Sequence, residues 1–135
     1  MRIVVDTNIA LDLLVFDDPG CASLLVALQA GELQWIATAA MREELVRVLA
    51  YPPVAARLAR NGRDADVVLE AFDQRVHPVD EAPARAPCLC RDPDDQIFVD
   101  LAVAQRARLL SKDRALLDMR APLARLGVEV AIPGA

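Results

Sequence analysis

The sequence predicts an α/β protein, a three-layer α/β/α sandwich around a mainly parallel central sheet of about five strands. Short runs of Val, Ile and Leu alternate with longer helical segments along the chain, as they do when helices connect parallel strands. Apolar residues make up 55% of the 135 residues and charged residues 26%, so the chain has enough apolar side chains to form a core. Its length suits one domain, which we expect to span residues 1–135.

The first predicted strand is the β-branched run RIVV at residues 2–5. A helix starts directly after it, near Thr7 or Asn8, and is broken by a Pro-Gly pair because proline has no backbone N–H to donate. The next helix covers residues 21–30 and ends at Gly31, since glycine adopts the left-handed conformation at helix ends without strain.

The middle of the chain repeats this order. A strand at residues 33–37 (LQWIA) leads to Thr38, which is expected to cap a helix at 39–51. Two further helices, separated by an Asn-Gly turn, are predicted within residues 54–75. The short run RVHPV at 75–79 is predicted to be an edge strand because it contains a proline.

The last elements follow a proline-rich loop at residues 80–88. The segment QIFVDLAVAQRA at 96–107 is predicted to be a helix that an aspartate opens. The run RLLS at 108–111 is the next predicted strand, a short helix comes after it, and VEVAI at 128–132 is the last strand. Strands and helices therefore alternate to the end of the chain.

Two acidic residues lie directly beyond predicted strands. Asp6 follows the strand at 2–5, and Asp113 follows the strand at 108–111. In parallel α/β sheets, ligands bind beyond the carboxyl ends of the strands. We therefore expect Asp6 and Asp113 to lie together at one edge of the sheet.

A third acid lies on the helix predicted at 39–51. The apolar stripe of this helix consists of Met41, Leu45, Val48 and Leu49. Glu44 borders that stripe, whereas Glu43 falls on the opposite, solvent-facing side. Glu44 is therefore the candidate site residue, and a half-buried helix acid paired with an arginine is the alternative interpretation.

The segment CRDPDDQIFVD at residues 90–100 contains four aspartates, Asp92, Asp94, Asp95 and Asp100. Asp95 leads the inner face of the following helix, and Asp94 is the alternative because adjacent helical positions are rotated by ~100°. Asp92 precedes a proline and is expected to be extended. Asp100 is predicted to lie on the outer surface. Asp92, Asp94 and Asp95 also suit a helix start, where negative charge is favourable.

Four acids from separate segments are therefore expected at one edge of the sheet: Asp6, Glu44, Asp95 and Asp113. Two carboxylates ~4 Å apart repel each other by on the order of 4 kcal/mol near a protein surface, so such a cluster needs a cation. Oxygen ligands select Mg²⁺ or Mn²⁺. The chemistry that matches is metal-assisted hydrolysis of a phosphodiester bond.

The same residues resemble those of the PIN-domain nuclease family over nearly the whole chain. The stretch VVDTNIALDLL resembles the opening strand of the family with its Asp and Asn, here Asp6 and Asn8. The stretch MREELVRVL resembles the helix that carries the second acid, here Glu44. The stretch DPDDQIFVDLAVAQRARLLSKD resembles the segment with the third and fourth acids, here Asp95 and Asp113.

The resemblance is strongest to the branch of toxin components of bacterial toxin–antitoxin systems. It implies a cytoplasmic, Mg²⁺- or Mn²⁺-dependent endoribonuclease that is inhibited by a small antitoxin protein and forms a homodimer. The four acids would be both metal ligands and catalytic residues. The chain departs from the family pattern at Lys112, where Gly or Arg is common, and at Ser111, where Thr is frequent.

Other residues are expected to assist the four acids. The supporting residues are Asn8, Ser111, Asp92 and Asp94. Asn8 is expected to hold Asp6 or to cap the first helix, and the hydroxyl of Ser111 to hydrogen-bond a carboxylate. Arg91 and Arg114 lie near the site segments and are the candidates for contacting substrate phosphates.

Composition excludes several classes of protein. The net charge of −5 argues against passive nucleic-acid binding through a basic surface, although an acidic metal site is compatible with a nuclease. Three cysteines, two of them only two positions apart, favour a reduced, cytoplasmic setting. No apolar run reaches the roughly 18 residues of a transmembrane helix, and Asp6 interrupts any signal-peptide core. We expect no membrane association.

Two other functions remain open from the residues alone. A phosphatase could use Asp6 as its nucleophile, but the haloacid dehalogenase type needs a second Asp where Asn8 stands. A PIN-like module that only binds partners would have the same fold, although all four acids are present. A zinc site is disfavoured because His77 is the only histidine and the two nearby cysteines are too closely spaced.

Overall fold

A computed structural model describes residues 1–134 of the chain. Within these residues the strands are β1 (Arg2–Val5), β2 (Gln34–Ala37), β3 (Val76–Pro78), β4 (Arg108–Leu110) and β5 (Val130–Ala131). They form one sheet in the order β3-β2-β1-β4-β5, and every neighbouring pair is parallel. The predicted α/β architecture is therefore confirmed. The predicted edge strand at 75–79 is also found at an edge, as β3.

Helices connect the strands. They are α1 (Thr7–Leu14), α2 (Ala22–Gln29), α3 (Ala39–Leu49), α4 (Pro52–Arg60), α5 (Ala65–Arg75), α6 (Gln96–Gln105), α7 (Arg114–Leu117) and α8 (Arg120–Arg125). Two 3₁₀ turns, Pro19–Cys21 and Pro93–Asp95, precede α2 and α6. In the part of the chain that the structure describes, none of these helices is long and apolar enough to cross a bilayer.

Several boundaries differ from the predicted ones. α1 ends at Leu14, before the Pro-Gly pair, and the chain turns at Asp17, whose φ of 48° is in the left-handed region. The next helix, predicted within residues 54–75, starts already at Pro52, because proline is tolerated in the first helical turn. Thr38 occupies the predicted N-cap of α3, but its side chain makes no capping hydrogen bond.

The sheet carries the core. The central strand β1 is buried at Ile3, Val4 and Val5, as expected for a parallel strand covered on both faces. Trp35 on β2 is only 1% exposed and packs edge-to-face against Phe72 of α5, with ring centroids 5.3 Å apart. This packing fixes the helices against the sheet and so fixes the positions of the residues at the strand ends.

The order of the strands places a crevice between β1 and β4. The chain proceeds from β1 to β2 and β3 on one side, and then adds β4 and β5 on the other side of β1. In open α/β sheets, ligands bind where the strand order reverses in this way. Asp6 follows β1 and Ser111 follows β4, so both residues lie at the mouth of this crevice.

The prediction that Asp100 lies on the outer surface is wrong. Its side chain is buried, and it accepts hydrogen bonds from Ala86 N and Gln96 Nε2, both at 2.8 Å, with the Arg85 guanidinium 3.5 Å away. The proline-rich loop folds back over this face of α6 and supplies Ala86 N and Arg85, whereas Gln96 donates from one turn earlier in α6 itself. A helix with two covered faces does not follow the one-sided pattern on which the prediction rested.

Candidate active site

The four predicted acids line a single cavity of about 340 Å³. Its other lining residues are Thr7, Asn8, Leu11, Phe16, Val48, Tyr51, Val54 and Phe98. Asp6 and Asp113 come from the ends of β1 and β4, Glu44 comes from α3, and Asp95 comes from the start of α6. Four segments that are distant in sequence therefore contribute one carboxylate each to the same space.

Asp6 is the most deeply buried of these acids, at 3% exposure. It is the N-cap of α1, and its Oδ1 accepts a hydrogen bond from Ile9 N at 2.9 Å. Burial raises the pKa of Asp6, whereas its hydrogen bonds from Ser111 and Ile9 lower it and the charges of Asp113 and Asp12 raise it. Its second oxygen, Oδ2, accepts a hydrogen bond from the hydroxyl of Ser111.

Ser111 connects the two strand ends. It is fully buried, and its Oγ donates to Asp6 while accepting a hydrogen bond from Asp113 N at 2.9 Å. Its own backbone N–H donates to Ala131 O at 3.0 Å, which extends the β4–β5 pairing beyond the strands. The supporting role predicted for Ser111 thus corresponds to a defined position between two acids.

Asp95 and Asp113 form a hydrogen-bonded carboxyl pair. The pKa of Asp95 is raised to about 8, first by burial and then by the hydrogen bond and charge of Asp113 and the charges of Asp92 and Asp6. The hydrogen bond from Asp95 lowers the pKa of Asp113, as do the Ala115 N–H, which donates at 3.0 Å, and the charge of Arg91. The proton of the pair therefore resides on Asp95.

Asp92 belongs to the same cluster. One carboxylate oxygen from each of Asp92, Asp95 and Asp113 lies within 4.8 Å of the others. Asp92 also accepts a hydrogen bond from Asp94 N at 3.0 Å, which caps the 3₁₀ turn before α6. Asp92 therefore lies close enough to Asp95 and Asp113 to act on the same ion, in addition to capping the turn.

The neighbouring residues Asp94 and Asp95 differ in their position relative to the cavity. Asp95 lines the cavity, whereas Asp94 is exposed and does not line it. The charge of Asp94 still raises the pKa of Glu44, so it contributes to the negative potential of the site. Of the two registers considered from the sequence, the structure brings Asp95 to the other acids.

Glu44 is half-buried on α3. Burial raises its pKa, a hydrogen bond with Thr7 and the charge of Arg47 lower it, and the charges of Asp94 and Asp6 raise it. Among the described residues, neither Glu44 Oε2 nor Asp95 Oδ2 has a hydrogen-bond partner, although both atoms are buried. Buried carboxylate oxygens without a donor are costly unless a cation is present.

These residues fit a divalent metal ion. The candidate ligands are all carboxylate oxygens, which is the donor set of Mg²⁺ and Mn²⁺. Two of the oxygens are buried without a donor, and the pKa of Asp95 is raised by its acidic neighbours. Glu44, Asp95 and Asp113 would be among the residues that hold such an ion, whose positive charge would take the place of the proton on the Asp95–Asp113 pair.

The remaining predicted site residues, Asn8, Arg91 and Arg114, differ in how close they lie to the acids. Asn8 lines the cavity but does not cap α1, because Asp6 occupies that position. Arg91 forms an ion pair with Asp118 at 2.5 Å, near enough to Asp113 to lower its pKa. Arg114 is exposed at the first position of α7.

Sequence reasoning missed the environment of Lys112. Its Nζ lies 2.5 Å from Asp12 Oδ2 and 3.3 Å from Asp18 Oδ2, so it joins α1 to the turn before α2. Together with Asn8, Phe16 and Asp113 it lines a second cavity that adjoins the first. The sequence does single out this residue, since Lys112 is the only lysine of the chain and is adjacent to Asp113.

The fold and the site together define a class of protein: a parallel α/β domain with a carboxylate cluster at the reversal point of its sheet. The family model of the PIN domain matches residues 2–115. The chain therefore belongs to the PIN-domain family, whose members are generally nucleases.

The structural comparison agrees on the fold. A chain in the crystal structure of VapBC2 from Rickettsia felis, bound to a DNA fragment from their promoter, matches with a TM-score of 0.64. The match covers 96% of this chain and 98% of that chain at 16% sequence identity. No curated protein sequence is significantly similar to the chain.

Proposed function

We propose that this protein is a divalent-metal-dependent endoribonuclease, acting as a single domain and as the toxin of a toxin–antitoxin pair. The observation that carries the proposal is the cavity in which Asp6, Glu44, Asp95 and Asp113 meet, with two buried oxygens that lack a donor. Family membership supports nuclease activity, and the donor set supports Mg²⁺ or Mn²⁺ as the cofactor.

Each residue has a definable task in hydrolysis. Asp6, Glu44, Asp95 and Asp113 would hold the metal, which supplies Lewis-acid activation of the attacking water and of the phosphate when it is bound. Ser111 fixes the orientation of Asp6 through its hydroxyl, as partners of metal ligands commonly do.

The net result is attack of water on phosphorus and cleavage of one P–O bond. Arg91, whose charge lowers the pKa of Asp113, and Arg114, the residue after Asp113, are the candidates for contacting the phosphates. Asp92 and Asp94 add negative charge beside the ligands and so favour metal binding.

The direct test is cleavage of a labelled, unstructured RNA by the purified protein with Mg²⁺ or Mn²⁺. We expect cleavage by the wild type, loss of cleavage in EDTA, and loss in Asp6→Asn. Glu43→Gln is the matched control for Glu44→Gln, because Glu43 lies on the exposed side of the same helix. Cleavage that persists in EDTA and in Asp6→Asn would refute the metal mechanism, and no cleavage by any metal-loaded form would leave only a binding module.

A small antitoxin and a second copy of the chain are the proposed protein partners. The support is the fold shared with a chain of VapBC2. The three cysteines of the present chain are free thiols, which suits the reducing cytoplasm that we propose as its location. Co-expression with the small protein encoded beside it should give a stable complex in which RNA cleavage is suppressed. Light scattering of the protein alone should give a dimer mass; a monomer at micromolar concentration would contradict the dimer.

A further inference from the structure

The cavity that holds the acids has a second, apolar wall. This wall is formed by Leu11, Phe16, Val48, Tyr51, Val54 and Phe98. Metal ligation uses none of these side chains. Leu11, Val54 and Phe98 are buried core residues. The apolar surface open to a ligand therefore comes from Tyr51, which is exposed, and from the partly buried Phe16 and Val48.

Tyr51 is the most exposed member of this wall. It is 55% exposed, although a tyrosine ring normally buries most of its area when a partner is available. Its backbone is fixed, because its carbonyl accepts hydrogen bonds from Val54 N at 3.0 Å and Ala55 N at 2.9 Å at the start of α4. An exposed ring on a fixed backbone is suited to receive a flat group from outside the protein.

Phe16 brings positive charge to the same wall. The guanidinium of Arg57 lies over the Phe16 ring, 5.3 Å from its centroid. Among residues 1–134, no carboxylate lies within ion-pair distance of Arg57. Arg57 itself does not line the cavity, so its guanidinium adds positive charge behind the Phe16 ring at the edge of the site.

We propose that Tyr51 and Phe16 stack the base of an unpaired nucleotide next to the phosphate that is cleaved. This inference rests on the proposed nuclease function and adds the residues that would hold a base next to the cleaved bond. Every base has a π face that an exposed aromatic ring can receive, whereas bases within a duplex are already stacked on each other. A single strand brings phosphate and base together in the geometry of this cavity, which is acidic on one side and aromatic on the other.

Trp35 is not an alternative platform, because it is only 1% exposed and packs within the core. The competing occupant of the apolar wall is a side chain of a protein partner. The RNA is favoured because the aromatic residues share one cavity with the metal-binding acids and are accompanied by the unpaired guanidinium of Arg57.

The test is a cycle that combines abasic RNA with variants of Tyr51. Binding of a labelled single-stranded RNA is measured by fluorescence anisotropy with Ca²⁺, which takes the same oxygen ligands, after confirming that the RNA is recovered intact. A series of RNAs carries one abasic nucleotide at each position in turn. The proteins are the wild type, Tyr51→Ala, Tyr51→Phe, Phe16→Leu and the control Val26→Ala, which changes an exposed residue outside the cavity.

We expect one abasic position to weaken binding to the wild type by roughly 5- to 100-fold, the range for stacking of one base. Tyr51→Ala should weaken binding of the intact RNA by a similar factor and show no further loss at that abasic position. Tyr51→Phe and Val26→Ala should bind like the wild type. Phe16→Leu should reduce the abasic effect in part.

Additive losses in Tyr51→Ala and the abasic RNA would overturn the inference, as would unchanged RNA binding by Tyr51→Ala. A Tyr51→Ala protein that binds RNA normally but loses a protein partner would assign the wall to that partner instead. Thermal unfolding of each variant separates these outcomes from misfolding. If the wild type cuts RNA but the losses from Tyr51→Ala and from the abasic nucleotide are additive, the stacking proposal fails and the nuclease proposal stands. If the wild type never cuts RNA, the nuclease proposal itself fails.

Discussion

Asp95 and Asp113 share one proton across the carboxyl end of the sheet. The pKa of Asp95 is raised to about 8 by burial and by Asp113, while the hydrogen bond from Asp95 lowers the pKa of Asp113. The two residues come from α6 and from the end of β4, so this contact joins two elements through a pair that prefers a total charge of −1. A metal ion bound there would remove the need for the proton.

The first prediction concerns the stability of the metal-free protein as a function of pH. The pKa of Asp95 in the folded state, about 8, lies above the ordinary carboxyl value that it has when unfolded. The folded state therefore binds the proton more tightly, and stability is lost as pH rises from about 4 through 8. We expect a loss of roughly 2 kcal/mol, since the half-exposed group is screened by solvent, measured by urea unfolding in EDTA.

Asp95→Asn should flatten that pH profile and raise stability at pH 8, because the amide donates the same hydrogen bond without carrying a charge. The control is Asp66→Asn, which changes an exposed acid of α5. A wild-type profile that does not fall between pH 5 and 8 would show that the two carboxylates do not interact.

A second prediction concerns metal binding without any RNA present. Mn²⁺ or Mg²⁺ at about 100 times its Kd should stabilise the wild type by roughly 2.7 kcal/mol, because only the folded state assembles the site. Glu44→Gln should lose most of this effect, since it removes the charge from a buried oxygen that has no donor. Glu43→Gln should retain it. Equal metal-induced shifts in melting temperature for the two variants would exclude Glu44 as a ligand.

The third prediction concerns Ser111, which donates to Asp6 and accepts from Asp113 N. Ser111→Ala leaves the Asp113 N–H without this acceptor inside the protein and should cost roughly 1–3 kcal/mol. Metal affinity should fall about 10- to 100-fold, as for other groups that orient a metal ligand. Ser111→Thr keeps the hydroxyl and should keep most of the affinity. Isothermal titration with Mn²⁺ measures both variants, and an Ala variant with wild-type affinity would reduce Ser111 to a packing role.

The order of strands and helices could be predicted because most strands are runs of buried aliphatic residues separated by clear helical segments. The position of Asp6 and Asp113 at one edge also followed from topology, since Asp6 directly follows β1 and Asp113 lies three residues after the end of β4. Glu44 could be chosen over Glu43 because the apolar stripe of a helix defines its buried side. These inferences depend only on local periodicity and on the geometry of a parallel sheet.

Other features depend on contacts between segments that no local pattern encodes. The prediction for Asp100 assumes one buried face on its helix. The loop covers a second face and brings Ala86 N to the carboxylate, in addition to Gln96 one turn earlier on the same helix. Tyr51 was assigned to the end of a helix, so its position at the cavity became visible only with the turn into α4. The pairing of Lys112 with Asp12 likewise joins residues that are distant in sequence.

The fourth prediction tests the loop anchor at Asp100. Gln96 also donates to Cys88 O at 3.3 Å and accepts from Cys90 N at 2.6 Å, so Gln96 and Asp100 together hold the loop that leads to Asp92. Asp100→Ala should lower the free energy of unfolding by about 1–3 kcal/mol, because buried donors lose their acceptor, and should weaken Mn²⁺ binding by loosening that loop. Glu70→Ala, on the exposed face of α5, should change stability by less than about 0.5 kcal/mol. An Asp100→Ala variant as stable as the Glu70→Ala control would mean that the loop does not depend on this carboxylate.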